Sequence, residues 1–101
     1  MTVARYLPEF WPDVAGAVDW LESEQPGIGA DFAASVLAAI HIVLDHPRGF
    51  AEIDDGIRRF VIRKFHFLVF YEVLDGDVLF LGVVHGSRDL SVWLQRRRSC
   101  T

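Results

Sequence analysis

Two clusters in this 101-residue chain combine residue types and spacings that could do chemistry. The first is Arg58-Arg59-x-x-x-Arg63-Lys64. Side chains alternate along an extended strand, so Arg59 and Arg63 are expected on one face, opposite Phe60 and Ile62. Two cations on one strand face suit a polyanion or an acidic protein segment. The same pattern also protects an edge strand from aggregation. The second cluster is His85-Gly86-Ser87-Arg88-Asp89, followed by Trp93. A turn carrying His and Arg could hold a phosphate or a backbone contact. Alternatively, Asp89 caps a last helix and Trp93 covers the edge of the core.

Other chemistries lack their residues. There is no phosphate-binding glycine loop, no His-Glu-x-x-His and no cysteine pair. His41, His46, His66 and His85 have no metal-ligand spacing. None of Ser23, Ser35, Ser87, Ser91 and Ser99 sits in a nucleophile-elbow context. No metal and no cofactor is therefore expected.

The elements that must position these clusters follow from periodicity. Thr2 to Leu7 is β-compatible and ends at Pro8. Phe10, Val14, Ala17, Val18 and Leu21 recur at helical spacing, predicting a helix over about 9–24, with Pro12 in its first turn. Pro26-Gly27-Ile28-Gly29 breaks it. Phe32, Val36, Ala39, Ile40 and Val43 predict a second helix stopping before Pro47. So short a joint implies an antiparallel helical hairpin. Strands are expected over Ile57 to Lys64, Leu68 to Leu74 and Val78 to Val84, with Asp75-Gly76 as a hairpin turn. Leu90 to Arg97 could add a short terminal helix. The expectation is one α+β domain over residues 1–101, ordered β-α-α-β-β-β. The helical hairpin packs on one face of a largely antiparallel sheet and leaves the other face at least partly open.

Charge is distributed unevenly. Residues 1–55 hold two basic and ten acidic groups, a balance of −8, and residues 56–101 hold eight and four, a balance of +4. An anionic partner would be steered to the second half and repelled by the first. Hydrophobic residues make up 51% of the chain, so ordinary folding is expected. Apolar runs such as Val78 to Val84 are too short to span a bilayer, and no signal pattern opens the chain. The lone Cys100 suits a reducing cytoplasm.

In this order the patterns become familiar. Pro26-Gly27-Ile28-Gly29, Ile57-Arg58-Arg59, Phe65-His66-Phe67-Leu68-Val69-Phe70-Tyr71 and Val83-Val84-His85-x-x-Arg88-x-x-x-x-Trp93 together resemble the RelE/ParE superfamily of toxins, closer to its ParE-like branch. The resemblance covers about Ala4 to Trp93. It implies a cognate antitoxin, growth arrest by the free toxin, a role such as plasmid stabilisation, and a bacterial cytoplasmic setting. Homo-oligomerisation stays open.

The superfamily divides by mechanism. Its ribosome-dependent members cleave mRNA without metal, using a base, an acid and cations around the phosphate. This chain is similar to them at Arg59 and Arg88, and His85 could serve as base. It departs from them where Leu68 replaces an expected cation and where Trp93-Leu94 replaces an expected Tyr or His. A pI near 5.4 also departs from their usual basicity. The gyrase-directed branch lacks the catalytic set and acts by binding. The expected function is thus a non-enzymatic gyrase inhibitor neutralised by an antitoxin. Its contacts would come from Arg59, Arg63, Lys64, His85, Arg88 and Trp93. The alternatives are a metal-independent endoribonuclease acting on the ribosome and mRNA, and an interaction module without toxicity.

Overall fold

Phe10, Val14, Ala17 and Leu21 form the buried stripe of α1 (Phe10–Glu24), and Phe32, Val36, Ala39, Ile40 and Val43 form that of α2 (Ile28–Asp45). A computed structural model describes residues 2–87. The remaining elements are β1 (Ala4–Tyr6), β2 (Glu52–Asp54), β3 (Ile57–Ile62), β4 (Phe67–Leu74) and β5 (Asp77–His85). The proposed terminal helix, Arg88, Trp93 and Cys100 lie outside the described residues.

The strands form one sheet in the order β1-β5-β4-β3-β2. β1 runs parallel to β5, and every other pairing is antiparallel. The helical hairpin covers one face, with α1 against β5 and α2 against β3. This is the expected α+β architecture, with one addition. The short edge strand β2 carries Glu52 and Asp54, polar residues without the alternation that marks longer strands.

The two helices are joined through a side chain. The Glu22 carboxylate accepts hydrogen bonds from the Gly27 and Gly29 amides, at 2.8 and 2.9 Å. These amides hold the carboxyl below its usual pKa. They are first-turn donors that no side-chain cap of α2 itself satisfies. A Cβ at Gly29 would lie 2.9 Å from Glu22 Oε1 and 3.0 Å from the Val18 carbonyl, so close approach requires glycine there.

The main core lies between sheet and helices, where Phe67, Val69, Tyr71, Val78, Phe80 and Val83 meet the helical stripes. The far face is less open than the sequence pattern implies. Ile57, Leu68, Phe70 and Leu81 are buried there, with Leu7, Ile53, Leu79 and Val84 packed around them. A bulge also interrupts β5 on this face. Phe70 pairs with Gly82 and Tyr71 with Phe80, leaving Leu81 as the extra residue. Asp13 of α1 accepts a hydrogen bond from the Val83 amide beside the bulge, at 3.2 Å.

Tyr71 ties the sheet to the end of α2. Its buried hydroxyl donates to the Pro47 carbonyl at 2.8 Å. Burial pushes its pKa up to about 12, against a smaller opposing effect of Arg58. An unfolded tyrosine ionises near pH 10, so this contribution is complete below that pH and is lost as pH rises through about 12. Chemical denaturation across pH 9–12 should show a fall of roughly 2–3 kcal/mol from this group. Tyr71→Phe should flatten that slope while costing about 1 kcal/mol at neutral pH.

Candidate functional site

β3 presents its two arginines in different ways. Arg58 turns inward to the chain that follows α2. One guanidinium nitrogen donates to the Phe50 carbonyl at 2.7 Å, and the other lies 3.7 Å from Glu52 Oε1. Arg58 is therefore an anchor for the edge strand. Arg59 is exposed on the far face, in register with Phe70 and beside the buried Ile57 and Leu68. It has no ion-pair partner among the described residues.

Arg63 and Lys64 do not continue that face, because β3 ends at Ile62. A turn begins there, with the Phe65 amide donating to Ile62 and the His66 amide to Arg63. His66 takes a positive φ of 59°. The turn lets Phe65 enter the main core, edge-on to Phe32 at 5.3 Å between centroids. Burial of Phe65 thus ends the strand alternation on which the shared face of Arg59 and Arg63 was read. Both Arg63 and Lys64 remain exposed, and the Lys64 ammonium stands 5.4 Å from the Phe65 ring centroid.

His85 lies at the end of β5, in register with Phe67. Its ring packs edge-on against Phe67 at 5.2 Å and Trp20 at 6.2 Å, so it points to the helix-covered side of the sheet. The Ser87 amide donates to its Nδ1 at 3.2 Å, and the Ser87 hydroxyl is 2.7 Å from the same atom. Nδ1 is thereby assigned as an acceptor, which leaves the neutral ring's proton on Nε2. The Gly86 amide, donating to His66 at 2.7 Å, ties this turn to the β3–β4 turn.

Arg59 and His85 consequently face opposite sides of the sheet. Leu68, which stands where the ribonuclease resemblance leads one to expect a cation, is buried in the far-face cluster between Val61 and Val84. Sequence reasoning missed the structural use of Arg58 and Asp13. Neither carries a local signal, since Asp13 serves a backbone amide 70 residues away. Trp11 and Trp20 on α1 are exposed, at 43% and 52%.

A family profile described as the ParE toxin of type II toxin–antitoxin system, parDE, matches residues 4–90. No curated protein matches the chain as a relative. Among solved structures, the chromosomal ParDE system from P. aeruginosa is similar at a TM-score of 0.75 and 11% identity, covering 84% of this chain and 96% of that one. The isolated E. coli RelE toxin is similar at 0.64 and 12%, with complete coverage of both chains. The E. coli RelBE toxin–antitoxin complex gives 0.65 and 13%, covering 87% of this chain and 100% of that one. At these identities the structural likeness speaks for the fold.

Proposed function

The chain belongs to the ParE toxin family of type II toxin–antitoxin systems, and we propose that it acts by binding DNA gyrase rather than by cutting RNA. The observation that carries this reading is the divergence of His85 and Arg59 to opposite faces of the sheet. Ribose cleavage needs a base, an acid and cations gathered around one phosphate. Here the candidate base is packed against Trp20 and Phe67, and its Nδ1 already accepts from Ser87. The buried Leu68 supplies no charge. Binding requires only surfaces, and the described residues offer exposed apolar groups at Trp11 and Trp20 on α1 and a cationic one at Arg59 on the far face of the sheet.

In this reading the protein works in the cytoplasm, where a cognate antitoxin silences it. Arg59, Arg63 and Lys64 would contact an acidic antitoxin segment, and His85, Arg88 and Trp93 would contribute to a contact with the target or the antitoxin. Such a segment can fold as it binds. Arg59→Glu combined with Arg63→Glu should slow association in stopped-flow mixing and reduce its salt dependence. Equal association rates for wild type at low and high salt would exclude steering by these groups. The function itself is tested with purified protein. It should inhibit gyrase-dependent supercoiling or trap cleaved DNA, and leave ribosome-bound mRNA intact.

A further inference from the structure

Gly16 sits inside α1, where glycine weakens a helix relative to alanine. Nothing among the described residues asks for it. Its φ is not left-handed, and a Cβ built there meets no atom of the described residues within 4 Å. Its face of the helix also carries Pro12, Asp19, Trp20 and Ser23, at helical spacing and all exposed. Trp20 is 52% exposed despite its contact with His85. Asp19 makes no ion pair among the described residues. The two helices together carry Asp13, Asp19, Glu22, Glu24, Asp31 and Asp45, with no lysine or arginine.

We infer that the outer face of α1 is a docking surface for a cationic helix of the antitoxin, which crosses α1 at Gly16 beside Trp20. A helix axis can come within about 8 Å of another only where the side chains at the crossing are small, and Gly16 opens such a place. Trp20 supplies a large, half-exposed ring, a side chain that anchors contacts and attracts a cation to its face. Asp19 and the acidic surroundings select lysine or arginine on the partner and repel a second copy of this chain. The partner would then be charged opposite to the toxin on both sides, acidic toward Arg59 and Arg63 and basic toward α1. The inference rests on the toxin–antitoxin reading.

Gly16→Ala separates a docking role from a structural one, because the two effects have opposite signs. The variant should unfold at a temperature higher by roughly 2–8 °C. Calorimetric titration with the antitoxin encoded beside this chain should show affinity weakened roughly tenfold or more, as the added methyl meets the crossing helix. Trp20→Ala should weaken it roughly thirtyfold or more. Asp19→Lys should weaken it too, with a smaller salt dependence. A Gly16→Ala chain that gains thermal stability and binds the antitoxin unchanged would overturn the inference and leave the toxin–antitoxin reading standing. An antitoxin that does not bind the wild-type chain would overturn both.

Discussion

Phe32→Ala is expected to cost about 3–5 kcal/mol, a large share of the stability of a domain this size. Phe32 is fully buried on α2 and meets Phe67 at 4.7 Å and Phe65 at 5.3 Å between ring centroids. It therefore joins the helical layer to both ends of the β3–β4 turn. Truncation removes the apolar area and leaves a cavity that the surrounding rings can fill only in part. Urea unfolding followed by tryptophan fluorescence measures the loss. Leu37→Ala on the same helix, at an exposed position, should stay within about 0.5 kcal/mol. Comparable losses at the two positions would show that the buried face of α2 has been assigned wrongly.

Much of this fold was legible because each helix has one stripe committed to one core. Val14, Leu21, Val36, Ile40 and Val43 recur at helical spacing and are all buried. Asp75-Gly76 was legible for a different reason. Both residues adopt positive φ, and the strands pair from Leu74 with Asp77 onward. The near-continuous apolar runs of β4 and β5 concealed which residues face which way. Leu79 and Leu81 belong to the far-face cluster, with Leu81 buried, while their neighbours Val78, Phe80 and Val83 enter the core under the helices. The bulge at Leu81 depends on pairing with β4 and has no signature in the local sequence.

The candidate site was less legible, for a related reason. Arg58 and Arg59 are adjacent and chemically identical. One anchors the Phe50 carbonyl and the other is exposed on the opposite face, a division made by strand alternation and by the partners nearby. Arg63 fell outside the alternation because Phe65 takes the chain into the core. The helix α2 makes a similar point about composition. It is apolar and long enough to cross a membrane by length and hydropathy, yet its buried stripe packs on β3.

His85→Ala is the second change with a large expected contrast between mechanisms. Removal of a general base from a ribonuclease typically lowers its rate by about 10²–10⁴-fold. A binding toxin loses only what His85 contributes to a contact, together with the packing of its ring on Trp20 and Phe67. Inhibition of gyrase by the variant should therefore weaken by about tenfold or less, in step with affinity. Thermal unfolding of the same preparation separates lost packing from lost binding.

The most direct measurement compares wild type and His85→Ala in cells that lack the antitoxin, reading growth, plasmid supercoiling and mRNA ends together. The account predicts growth arrest by both proteins, with relaxed or cleaved DNA and intact ribosome-bound messages. Growth arrest by the wild type accompanied by mRNA cuts at codon positions, with both abolished by His85→Ala, would contradict it.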